Sequence, residues 1–491
     1  MKKARKALSF LLCLVLIVGI LPVSVLADEP EVAEVNGTKC STLDAAVDAA
    51  SSGDTIKLLS SDTLTFSKLN GKSITFTGNG TITVRNQTKD GYQGDLTFDG
   101  EGVSFEWIGS DNGYWLQLAM GGSLTFTNGA SGTFSFDSAE GTRCAIYSGD
   151  YRSLEINVTN GASLHIYGEN TKGFDGQGIQ LGKQPNTHIN VTGGSDFLID
   201  GTNRGYVNSP EIYVEDSTFV VQNCTSNASN GGKFTAIRST VQFLNNLGHG
   251  LSASDVSFTD TTFETIGNGY TGLHAAGTFD AITTGTENTK PTAITASKNS
   301  WHGWKQDLFA AMRLVGNATV GSDVTVKVTD NYGVGIRSDA NTYTFFNDAN
   351  VTITNNGNSY NGGEQPNTTG GGIWNKGTMT LPTNAVIYNN HAVTAGDDIY
   401  STGTISFGDV GSDWVLDDCD DLIDGWYEDG LELTDGETHR WNAHTDPTYI
   451  VKKESGSYET PIAYKAAHGE SVIPGFGIPI LWLNMEDHYS Y

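Results

Sequence analysis

The residues able to do chemistry are few and scattered. His249 stands between two glycines in LGHGLSAS, Arg337 lies in IRSD, and an adjacent acid pair, Asp397 and Asp398, sits in AGDDIY. A glycoside hydrolase needs two carboxylates flanking the scissile bond. A polysaccharide lyase needs a base, often Arg or Lys, and usually calcium to acidify the sugar. His249 and Arg337 are the residues of catalytic type, and neither has an acid pair beside it in the sequence. Asp397 and Asp398, with neighbouring turn carbonyls, can hold Ca2+, although an adjacent acidic pair is usually a solvated corner. No cofactor is required. Trp301 and Trp304 in WHGWKQDLF, and Trp426 and Trp441 among carboxylates further on, can grip a sugar ring, with core packing as the competing role.

The elements that must position these residues are short and repetitive. From about Thr55 to Phe407, runs such as SITFTG, SLTFTNG, LEINVTNG, HINVTGG, DVSFTD and VTITNNG recur. Each alternates apolar residues with Thr, Ser or Asn and then breaks at Gly or Asn, the pattern of short strands joined by turns. The 60 glycines supply turn angles, and the 11 prolines are too few to spoil interior ladders. Three corners align: NLGHGL at 246–251, NGYTGL at 268–273 and NYGVGI at 331–336, each Asn, three residues, Gly, then an aliphatic. Leu251 and Leu273 are 22 residues apart, and Leu273 to Ile336 is 63, close to three such steps. Looser copies end at Ile179, Ile373 and Ile399.

A repeat of this length built of strands indicates a solenoid. The reading is an all-β, right-handed parallel β-helix over residues 54–408. At ~22 residues per coil it would have ~16 coils and a length of about 75 Å. The corner Asn would adopt the left-handed conformation and bond to its copy in the next coil. A β-sandwich would want fewer, longer strands and would not predict the repeated corner.

The flanking segments differ. Lys2, Lys3, Arg5 and Lys6, an apolar run broken by Pro22, and Val25-Leu26-Ala27 form a signal peptide over residues 1–27. Its removal leaves 24 basic against 56 acidic side chains, a net charge of −32, and a mature chain without a transmembrane segment. That surface repels phosphate backbones and excludes nucleic acid as a natural partner. Residues 28–53 are a lead and a capping helix. Thr42 or Ser41 caps it, and Leu43, Ala46, Val47 and Ala50 form one apolar face. Cys40, Cys144, Cys224 and Cys419 show no metal spacing, and most read as small buried residues. Residues 409–470 are rich in Trp, Tyr and Asp and lose the repeat; Trp414, Trp426, Trp441 and Tyr449 would form the core of a C-terminal cap. Residues 471–491 begin as a linker, VIPGFGIPILWLN, and stop on LNMEDHYSY.

Together the leader, TLDAAVDAASSGDTIKLL and the coils resemble the right-handed parallel β-helix, or pectin-lyase-like, surface proteins of Gram-positive (clostridial) bacteria, over about residues 40–408. The DDC…DGWY…RWNAH…KAAHG string resembles the module that ends the β-helix in such proteins. The Gly-His-Gly around His249 resembles a polygalacturonase motif. That family also needs an Asn-Thr-Asp motif and an Asp pair one coil earlier and an Arg-Ile-Lys motif later, whereas CTSNASNGG supplies no acid and IRSD no lysine. His249 is therefore read as a variable corner residue. Leu483, Asn484, Asp487, His488, Tyr489 and Tyr491 match the opening of a surface-layer homology module, a truncated anchoring motif. Such modules hold proteins to cell-wall polysaccharide. The resemblance implies a secreted cell-surface protein, a stalk or adhesin toward host or environmental glycans. A polysaccharide lyase or glycoside hydrolase with a groove along the coils is the alternative.

Overall fold

The computed structural model describes residues 30–407 except 86–91, 110–115, 137–141, 149–151, 169–175, 183, 185, 209–210, 288, 303–309, 341, 358–369, 383–384, 389, 391–398 and 402. It also describes four short strands: Trp426–Glu428, Asn442–Ala443, Tyr449–Lys452 and Tyr458–Glu459. Residues 1–27, read as a signal peptide, and Trp304, Asp397, Asp398, Trp414, Trp441, Cys419 and residues 483–491 lie outside the described residues.

The chain winds as a three-faced solenoid of parallel strands. One turn shows the pattern: Glu211–Glu215 lies on the first face, Thr218–Gln222 on the second, and the next coil returns with Lys233–Ile237 and Thr240–Leu244. Ile212 pairs with Phe234 and Phe219 with Val241, each 22 residues on. The alternation of buried and half-buried residues in almost every strand follows from the period of two. One set of side chains fills the solenoid and the other faces out.

Inside, like stacks on like. Phe76, Phe98 and Phe126 are register partners, with ring centroids 5.5 and 4.9 Å apart and nearly parallel planes. Phe197 lies 4.7 Å from Phe219. Cys144 and Cys224 are buried and Cys40 is half-buried, all three as free thiols. Burial pushes the Cys224 thiol up to about 12 and that of Cys144 higher still.

The start of the fold holds an element the sequence pattern did not show. Ala33–Val35 and Thr38–Cys40 form an antiparallel hairpin, and Ala33–Val35 also pairs antiparallel with Thr55–Leu58, where the parallel ladder begins. The helix Leu43–Ala49 follows, N-capped by Thr42, whose hydroxyl accepts from the Ala45 N–H. The expected Leu43, Ala46 and Val47 face is fully buried. Among the described residues no helix is long and apolar enough to cross a membrane.

Two numerical expectations need correction. Among the described residues the second face carries 13 strands and the first 14 parallel ones, rather than ~16, giving a length of about 65 Å. The interval from Leu273 to Ile336 holds two coils, not three. Leu273 pairs with Met312, 39 residues on, and Met312 pairs with Ile336, 24 on. Extra residues enter at corners, where added chain costs little, while the strands keep their register.

Candidate functional site

The recurring Asn corner builds the third face. Asn246, Asn268, Asn299, Asn331, Asn356 and Asn390 are all fully buried and form a continuous ladder. In each step the side-chain oxygen of the next Asn accepts both the backbone N–H and the Nδ2–H of the one before, as from Asn356 to Asn390 at 3.0 and 2.8 Å. Nδ2 also donates to a carbonyl inside the coil, for example Asn268 to Phe243 O at 2.9 Å. Cys224 occupies the preceding rung and donates its N–H to Asn246.

The ladder Asn residues are not left-handed, contrary to the sequence reading. The residue before each rung from Cys224 to Asn356 is: Asn223, Asn245, Gly267, Lys298, Asp330 and Asn355 have φ between 53 and 71°. That residue turns the chain, so the Asn that follows can aim its amide inward. The glycine four residues after the Asn is required for clearance. A Cβ on Gly335 would lie 2.6 Å from Gly372 O and 3.0 Å from Asn356 Nδ2.

With the corner locked, the strand after it presents two columns. Leu251, Leu273, Ile336, Ile373 and Ile399, aliphatics of the corner pattern, stack inward as register partners, with Met312, which that pattern did not mark, between Leu273 and Ile336. Their outward neighbours form the second column: Ser252, His274, Arg313, Arg337, Trp374 and Tyr400. Adjacent coils in a parallel ladder are ~4.8 Å apart, so six polar or aromatic side chains lie in one row.

Charge in this row is tightly organised. Arg313 donates through Nε and Nη2 to Asp339 Oδ2 at 3.0 and 2.9 Å, and Arg337 donates through Nε to Oδ1 at 2.9 Å. Burial alone would raise the Asp339 carboxyl, but the hydrogen bonds and charges of both guanidiniums outweigh it and hold it below the usual range. The Arg337 guanidinium lies 3.9 Å over the Trp374 ring, and Lys376 Nζ is 4.7 Å from the same ring. Arg337 and Trp374 are buried at 7% and 6% exposure, although both stand on the outward side of the strand.

His249 sits at the corner beside this row. Its Nδ1 accepts the Thr271 N–H at 3.3 Å and its ring is 5.3 Å from Tyr270. Burial, then His274 and Arg313, depress its pKa to about 4. His274 is lowered by burial and by Arg313, against the opposing pull of Asp339. Tyr270 continues to His302 at 5.6 Å and His302 to Trp301 at 5.5 Å, while Trp301 Nε1 donates to Gly267 O.

The structure thus brings His249, Arg337 and Trp301 to one side of the solenoid. The Trp426 backbone pairs with Ile399 on the same face. Sequence reading missed His274, Arg313, Asp339 and Trp374. Each can be found as the residue after a stacked aliphatic, or two beyond Arg337, once the coil register is known. Fold and site define a parallel β-solenoid with a cationic and aromatic row on its third face. Compared with known protein families, curated proteins and solved structures, the chain matches none of them.

Proposed function

We propose that the protein is a secreted, cell-surface-destined β-solenoid, a stalk or adhesin that binds glycans along its third face. The observation that carries this reading is the outward row His274, Arg313, Arg337, Trp374 and Tyr400, held on consecutive coils by the register of the inward aliphatics. Extended sugar chains suit such a surface. Aromatic rings pack on pyranose faces, polar groups take hydroxyls, and a periodic array offers successive subsites. The finer elements rest on resemblance: right-handed winding, a Gram-positive surface setting and wall attachment through modules of the type that LNMEDHYSY opens. A test is a glycan array probed with the full chain lacking residues 1–27. Retention of a defined set of polysaccharides, reduced by Trp374→Ala, supports the reading; retention of none sinks it.

A second reading, a polysaccharide lyase, draws on one observation. His274, with its pKa lowered by burial, lies beside Arg313 in the same row, which pairs a base with a cation. Release of unsaturated sugar products, followed by ultraviolet absorbance and lost in His274→Ala, would favour it over simple binding.

A further inference from the structure

We propose that Arg337, Arg313 and Lys376, arranged around Trp374, form a subsite for an anionic group, a carboxylate or a sulfate ester, on a sugar of the bound polysaccharide. This deepens the glycan-binding reading and rests on it.

The first support is an unmet donor. Arg337 is 7% exposed, its Nε is committed to Asp339, and its Nη1 is buried with no hydrogen-bond partner among the described residues. A buried guanidinium N–H left without an acceptor is costly, and native structures rarely carry one without a reason. The second is charge. Asp339 is shared between two guanidiniums, with Oδ2 taken by Arg313 and Oδ1 by Arg337. Lys376, exposed, adds a third cation over Trp374. Among the described residues one carboxylate is thus bonded by two of three cations gathered at Trp374, on a chain whose net charge is −28. The third is geometry. Trp374 packs with Ala310 and Val334 and holds the Arg337 guanidinium against its ring. The fork is thereby fixed in one plane, the form suited to a planar or tetrahedral oxyanion. A neutral sugar would leave the excess charge unanswered.

The experiment is affinity electrophoresis and calorimetry of the full chain lacking residues 1–27 with three probes: polygalacturonate, dextran sulfate and neutral dextran. At least one acidic polymer is expected to bind tenfold or more tightly than dextran, with affinity falling as salt rises. Its preference between the two acidic polymers tells carboxylate from sulfate ester. Lys376→Gln, at an exposed position, should weaken acidic binding several-fold, and Arg337→Gln tenfold or more, in each case by a larger factor than it weakens any dextran binding. If Arg337→Gln lowers the unfolding midpoint, Arg313→Lys and Lys376→Gln carry the test instead. Equal binding of neutral and acidic polymers, or folded variants that bind acidic polymers like the parent, overturns the subsite and leaves glycan binding standing. If an array of neutral and acidic glycans also yields no ligand, the glycan reading itself falls, and the subsite with it.

Discussion

The coils near the start of the solenoid and those near its end solve the same packing problem in different ways. Between residues 74 and 136 the interior is filled by rings: Phe76, Phe98 and Phe126 in one stack, with Phe105, Phe134 and Trp107 beside it. Between 246 and 390 the corner interior is occupied by the amides of the Asn ladder. Aromatic stacking is tolerant of small shifts, because dispersion and apolar burial are not directional. An amide ladder is not tolerant. Each Asn must meet its neighbour in register and also satisfy a carbonyl inside the coil, so the corner is fixed to within hydrogen-bond geometry. The cationic row lies where the coils are fixed this way. A recognition surface spread over five coils needs that constancy, since an error in one corner would displace every side chain after it.

The largest expected effect separates the two modes. Asn331→Leu would remove the acceptor of the Asn299 N–H and one of the two acceptors of its Nδ2, along with the Nδ2 that donates to Asn356 Oδ1 and to Ala296 O. Several buried polar groups lost together should cost of order 5 kcal/mol, read as a fall in the urea midpoint. Phe98→Ala, in the aromatic coils, should cost about 3–4 kcal/mol through a cavity and lost stacking. If Phe98→Ala proves the more damaging, the amide ladder is not the stricter of the two devices.

Acid should sharpen the contrast. His249 has its folded pKa depressed to about 4, below the ordinary value of 6.5. Folding therefore favours the neutral ring. The resulting stability is fully present above the unfolded value and is given up as pH falls from 6.5 toward 4, by about 3 kcal/mol at most. His249→Gln should flatten that part of the pH–stability profile. Asp339 acts in a lower window, because its carboxyl is held below the usual range. Its contribution is present above the unfolded carboxyl pKa and is lost only as pH drops through the folded one. The smallest effect belongs to the outer surface of the regular coils. Arg238, exposed and bonded to Glu215 and Asp216, should be replaceable by Ala without a measurable change in midpoint.

Much of the fold was legible in the residues. The alternation in LEINVTNG or DVSFTD can bury only one side of a strand, and Asn-x-x-x-Gly-aliphatic marked the corner that holds the ladder and the inward stack. Less of the site was legible. Arg313 carries no local mark that places it beside Arg337, because 24 residues and a corner separate the stacked aliphatic Met312 from Ile336. Counting coils by a constant step failed between Leu273 and Ile336 for the same reason, since corner insertions change the step without disturbing the ladder. The left-handed residue was assigned to the Asn itself, whereas backbone geometry places it one position earlier.

The sequence by itself determined that the chain is all-β, that its strands are short and two-sided, and that it repeats at one corner type. These are consequences of side-chain period and turn chemistry, which act over a few residues. Only the tertiary structure decided which outward residues share a row. It also decided that Arg313 and Arg337 divide one carboxylate and that Arg337 lies buried against Trp374. Those facts depend on register between coils. Register is set by backbone hydrogen bonding and the stacking of inward side chains across dozens of residues, which no local pattern encodes.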